Sequence, residues 1–71
     1  MWLEKGNNYF ENKMGDCLLI VEKNDTKKFE WSFFRKGYKI DGTNFDGLRH
    51  ATKEDAKKSA EKAYIKYKQS R

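Results

Sequence analysis

The sequence contains no proline, one cysteine and one histidine among its 71 residues. With Cys17 alone, no disulfide can close within the chain. Cys17 and His50 together supply two soft ligands, too few for a four-ligand structural zinc site. Long apolar stretches are missing as well. The longest, Cys17-Leu18-Leu19-Ile20-Val21, falls far short of the roughly 20 residues that cross a bilayer. The start, Met1-Trp2-Leu3-Glu4-Lys5, lacks the basic residues and apolar stretch of a signal peptide. These absences predict a cytoplasmic, reduced protein with no membrane partner. Cys17 then reads as a small hydrophobe at a strand start rather than as a reactive thiol.

Sets of catalytic residues are equally scarce. Gly42 and Gly47 follow Asp41 and Asp46, whose charge would repel phosphate, so no phosphate-binding loop is read here. Asp41, Asn44 and Asp46 lack the alternating spacing and closing bidentate Glu of a calcium loop. The two Asp-Gly pairs are first of all turn formers. His50 stands alone before a helix start and reads as structural or exposed, rather than as a base paired with Asp46 or Cys17. The chain is therefore expected to be non-enzymatic, with no catalytic residue, cofactor or metal.

What remains is a small polar chain with enough aromatic surface to fold. Charged residues make up 38% and the mean hydropathy is −1.13, close to the polarity at which chains stop folding. Aromatics at 15% act against disorder, since each buries on the order of 150–250 Å². The length fits one domain spanning residues 1–71, burying roughly 60% of its unfolded surface.

Turn chemistry divides the chain. Residues 2–10 form an aromatic N-terminal segment around Gly6-Asn7-Asn8, and Met14-Gly15-Asp16 is a second turn. Cys17–Lys23 is apolar, rich in Leu, Ile and Val, and reads as a strand. The next strand spans 28–36 and puts Phe29, Trp31 and Phe33 on one face, with Phe34 off the pattern. A polar loop at 24–27 makes these an antiparallel hairpin. Residues 38–40 and 45–50 each suit a short strand. A single third strand is expected, at the second of these places.

Thr52 is an N-cap candidate with Asp55 three residues on, opening a helix over about 53–67. At about 100° per residue, Ala56, Ala60, Ala63, Tyr64 and Tyr67 share one stripe and Ile65 falls opposite. The predicted class is α+β: an antiparallel sheet of about three strands with one C-terminal helix packed on one face (β-β-β-α). Phe29, Trp31, Phe33, Ala56, Ala60, Ala63 and Tyr64 should share its core.

The net charge of +5 is not spread evenly. Residues 1–35 carry six basic and six acidic groups. From Ala56 onward stand Lys57, Lys58, Lys62, Lys66, Lys68 and Arg71 against Glu61 alone. Such a helix attracts a polyanion or an acidic protein surface. Lysines outnumber arginines 13 to 3, which suits phosphate contact without base recognition.

The strands followed by a helix opening Thr52-Lys53-Glu54-Asp55-Ala56-Lys57-Lys58 resemble the three-stranded-sheet-plus-helix domain of plant AP2 factors and integrase arm-binding domains. Trp31 and the Ala56/Ala60 face match in kind. Glu30, Ser32 and Phe34 depart from the Arg- and Trp-rich sheet those domains lay on DNA. In size, Trp start, Gly-Asn-Asn-Tyr turn and Ala-rich closing helix the chain also looks like the small accessory proteins of bacteriophages and prophages. Among these are anti-CRISPR inhibitors of host defence. That second resemblance implies a binding protein for an acidic protein or ribonucleoprotein. The alternative is a DNA- or RNA-binding module that uses the basic helix.

Strand Cys17–Lys23 is apolar on both sides, with Leu19 and Val21 pointing one way and Leu18 and Ile20 the other. One helix covers one face. Residues 2–10, through Trp2, Tyr9 and Phe10, a second copy in a homodimer, or a partner must cover the other. Lys57, Lys58, Lys62, Ile65, Lys66 and Phe34 are the candidate partner-binding residues.

Overall fold

The structure is a computed structural model that describes residues 1–43 and 49–69. Five strands run as a continuous antiparallel meander: β1 (Leu3–Gly6), β2 (Tyr9–Met14), β3 (Cys17–Lys23), β4 (Phe29–Arg35) and β5 (Tyr38–Gly42), lying in that order. Helix α1 (Lys53–Gln69) follows and packs across β3 and β4 on one face. The α+β class, the antiparallel sheet and the single C-terminal helix are as expected. Among the described residues the sheet has five strands rather than about three.

The two additional N-terminal strands come from the segment whose sequence reads as an aromatic arm. β1 pairs with β2 across the Gly6-Asn7-Asn8-Tyr9 turn, with Asn8 at φ 57°. β2 pairs with β3 through Gly15 at φ 63°, from Tyr9↔Glu22 to Met14↔Cys17. Both are tight two-residue hairpins, whose turns need positive φ. β2 escapes a hydrophobic-alternation reading because Asn12 stands between Phe10 and Met14 on the inward side. Asn12 is buried, and its Oδ1 accepts a hydrogen bond of 3.0 Å from the Met1 ammonium. A buried polar group so paired no longer opposes folding.

The strand that follows β4 lies at Tyr38–Gly42, the first of the two places the sequence allows, and not at 45–50. Lys36 at φ 51° and Gly37 at φ 84° form the tight turn that returns the chain directly onto β4. Ile40 is the extra residue of a bulge between Phe33↔Asp41 and Phe34↔Lys39. Of segment 45–50, residues 45–48 lie outside the described residues. His50 makes one isolated bridge, exchanging both backbone hydrogen bonds with Phe29.

The core forms as the periodicity requires. Phe29, Trp31 and Phe33 from β4, Cys17, Leu19 and Val21 from β3, and Phe10 from β2 are buried under Ala56 and Ala60. Ala63, Tyr64 and Tyr67 pack at its margin. Small alanines let the helix backbone come close to the bulky β4 row. Tyr64 and Tyr67 then meet the Phe33 ring edge-on, at centroid distances of 6.1 and 5.5 Å. Thr52 caps the helix by accepting from the Asp55 N–H at 3.2 Å. Thr52→Ala is expected to cost about 1 kcal/mol, read as a lowered urea midpoint at an unchanged slope.

Candidate binding surface

Two surfaces remain for function: the outer face of α1 and the sheet face that α1 leaves uncovered.

The six candidate partner-binding residues do not form one site. Lys58, Lys62 and Ile65 share the solvent side of α1, spaced four and three residues apart, and Ile65 is 54% exposed. Lys66 stands at the flank, beside a depression formed with Ile40 and Asp41. Lys57 is turned inward. Its Nζ lies 4.3 Å from the Phe10 ring centroid and 5.7 Å from that of Trp2, so its charge is engaged by aromatic faces. Phe34 lies on the opposite side of the sheet from all of them, directly paired with Leu18.

Glu61 makes no ion pair with the lysine stripe among the described residues. Its Oε2 accepts the Trp2 indole N–H at 2.8 Å, which draws the carboxylate toward the sheet side of the helix. The two ion pairs among the described residues are Arg35–Asp16 and Arg49–Glu30, and neither uses a helix lysine. The solvent face of α1 therefore keeps its positive charge.

The uncovered sheet face is built by the other half of the strand alternation. Trp2 and Phe10 lie on the helix side, so the N-terminal segment reaches this face through Tyr9 and Leu3 rather than through those two aromatics. One cross-strand row reads Leu3–Glu11–Ile20–Ser32–Gly42; the next reads Lys13–Leu18–Phe34–Lys39. Leu18, Ile20 and Phe34 are half-buried, and Leu3 is exposed. Leu3, Lys5, Lys13, Leu18, Phe34 and Lys36 contribute to a shallow depression of about 480 Å³. Lys13 and Glu11 are surface residues that sequence reasoning misses. The signal that locates them is the alternation of residues 9–14 between two turn motifs, hidden by Asn12.

A third row, Tyr9–Glu22–Glu30, sets two carboxylates directly opposite each other. Like charges so placed repel. Glu30 is held ionised, its carboxyl lowered below the usual range mainly by the hydrogen bond from Asn24 Nδ2 at 2.7 Å. Burial opposes this, and the Arg49 guanidinium, whose Nε is 3.1 Å away, adds to it. Tyr9 donates its hydroxyl to Glu11 at 3.1 Å, and burial together with that bond raises its pKa.

The remaining chemistry-bearing residues are structural in placement. Cys17 is buried, and burial, with the neighbouring Asp16 carboxylate, raises its thiol pKa. His50 Nε2 lies 2.9 Å from Ser59 Oγ rather than beside Cys17. Asn44 and Asp46 lie outside the described residues. Among the described residues no group of three His, Cys, Asp or Glu is placed to hold a metal, and no helix is long and apolar enough to cross a membrane. No family model, no curated protein and no solved structure matches this chain.

Proposed function

We propose that this chain is a non-enzymatic binding protein, of the phage-type accessory or host-defence-inhibitor kind that its sequence resembles. In this reading it docks on an acidic protein or ribonucleoprotein through the outer face of α1. The observation that carries the reading is the make-up of that face: Lys58 and Lys62 beside an exposed Ile65, with Glu61 occupied by Trp2. Unpaired lysines steer an anionic surface into contact and raise the association rate. A half-exposed isoleucine among them contributes nothing to a phosphate backbone. Against a protein surface it is an apolar anchor of the kind that carries binding energy at an interface centre.

The test is a pull-down from host lysate with and without nuclease, run beside Lys58→Glu/Lys62→Glu and Ile65→Ala variants. Expected is a protein complex that survives nuclease and is lost with the double reversal. The isolated partner should bind Ile65→Ala about tenfold more weakly, equivalent to about 1.4 kcal/mol. Equal capture by wild type and both variants would refute the assignment of this face.

The same unneutralised lysines support a second reading, contact with DNA or RNA. If Lys58 and Lys62 both touch duplex phosphates, neutralising them lowers the slope of log K against log salt by roughly 2 × 0.9. Absence of any mobility shift at low salt, with duplex or single strand, would remove this reading.

A further inference from the structure

We propose that the uncovered sheet face is a homodimer interface, in which two copies pack face to face about a two-fold axis running across the strands. The site is distinct from the helix face and does not depend on the function read there.

The argument rests on the order of side chains in the two central rows. Leu3–Glu11–Ile20–Ser32–Gly42 lies beside Lys13–Leu18–Phe34–Lys39, and the registry between them is set by direct cross-strand pairs. A two-fold axis parallel to these rows and midway between them lays the first row of one copy over the second row of the other. Each strand then meets its own counterpart. On β2, Glu11 faces Lys13 of the other copy, and Lys13 faces Glu11. On β3, Ile20 faces Leu18. On β4, the small Ser32 leaves room for the large Phe34 ring. On β5, Gly42 faces Lys39.

The contacts are reciprocal, as an isologous interface requires: opposite charges meet twice, the aliphatic pair twice, and the small-against-large pair twice. An axis along the strands instead would stack each row on itself, setting Glu22 and Glu30 over the same carboxylates of the other copy. In the chosen arrangement the third row passes instead over the other copy's Gly15-Asp16 and Lys36-Gly37 turns, where Asp16 is already held in a 3.1 Å ion pair with Arg35.

Packed sheets sit about 10 Å apart with strands crossing near 30°, so the match is closest at β3 and loosens toward β1 and β5. The apolar centre is Leu18, Ile20 and Phe34 from each copy, all half-buried in one chain and closed off by a second. Such a face is at the small end of specific interfaces, and association in the micromolar range is expected. The dimer carries its two lysine helices on its outer sides, which leaves both free to bind.

Sedimentation equilibrium on the full chain tests this. The wild type should associate reversibly to a dimer. Glu11→Lys alone and Lys13→Glu alone each place like charges twice in the interface and should weaken association about tenfold or more. An equimolar mixture of the two single variants should associate again, because the paired positive charges of the first then face the paired negative charges of the second. The double variant Glu11→Lys/Lys13→Glu should also dimerise. Circular dichroism melts check that each variant is folded. A wild type that remains monomeric at millimolar concentration would overturn the proposal and leave the face to a different partner. So would single variants that dimerise like the wild type, or a mixture no better associated than its components.

Discussion

Replacing Trp31 by alanine is expected to remove about 3–5 kcal/mol of stability. A chain of this length holds about 4–11 kcal/mol in all, so the variant should be marginally folded at room temperature. Trp31 is 3% exposed at the centre of β4, opposite Val21 and within the core that Ala56 and Ala60 close. Neither alanine can swell to fill the space. The backbone of Trp31 is tied in as well, since its N–H donates to the buried Thr43 hydroxyl at 2.9 Å.

The indole N–H, by contrast, is buried without a hydrogen-bond partner among the described residues. An unsatisfied donor costs about 1–3 kcal/mol, and Trp31→Phe removes it along with part of the ring volume. The phenylalanine variant should therefore lose only about 1–2 kcal/mol. Urea unfolding followed by circular dichroism measures both. A Trp31→Ala variant that melts with the wild type would refute the core placement, and equal losses for Ala and Phe would refute the role of the indole nitrogen.

Gly42→Ala is the second large effect, at about 2–4 kcal/mol, although it adds only a methyl group. A Cβ at Gly42 would stand 2.8 Å from the Trp31 carbonyl oxygen and 3.2 Å from Ser32 Cα, both backbone atoms that cannot swing aside. Its φ of 156° adds strain for any L-residue. The methyl would lever β5 away from β4 just beyond the Ile40 bulge, and loosen Thr43 from Trp31 with it. Gly37→Ala is the control. It faces open space and carries only the strain of φ 84°, about 1–2 kcal/mol. Thermal melts should rank wild type, Gly37→Ala and Gly42→Ala in falling order. A Gly42→Ala variant as stable as Gly37→Ala would show that β5 approaches β4 less closely than described.

Sites were less legible than fold, for a physical reason that Lys57 and Lys58 illustrate. They are adjacent lysines with the same formal charge. A 100° step around the helix sends Lys57 over Phe10 and Trp2 and leaves Lys58 in solvent. The helical angle was computable from the sequence. That Phe10 and Trp2 would be waiting on that side was not, because both belong to a segment whose strands depended on the partner of Asn12. Glu61 shows the same dependence: its carboxylate is held by an indole 59 residues away in sequence rather than by a neighbouring lysine. Phe34 stood out as off pattern because its environment lies on the far side of the sheet, beside Leu18.

The sequence by itself determined the parts that rest on local periodicity and turn chemistry. These are the β3–β4 hairpin, the inward row of Phe29, Trp31 and Phe33, the helix from Thr52 with its alanine stripe, and the surplus of apolar strand surface on a second face. Each is encoded within about a dozen neighbouring residues. The tertiary structure alone decided how many strands the sheet has, that 38–42 rather than 45–50 follows β4, and which charges remain free. Those outcomes turn on pairings that periodicity and turn chemistry do not announce: a buried asparagine answered by the Met1 ammonium, a tight Lys36-Gly37 turn answered by a close Gly42–Trp31 approach, and a glutamate answered by Trp2. Neither alternation nor a turn motif marks the members of such a pair as partners, so only the assembled sheet and helix reveal which polar groups are satisfied and which face is left open.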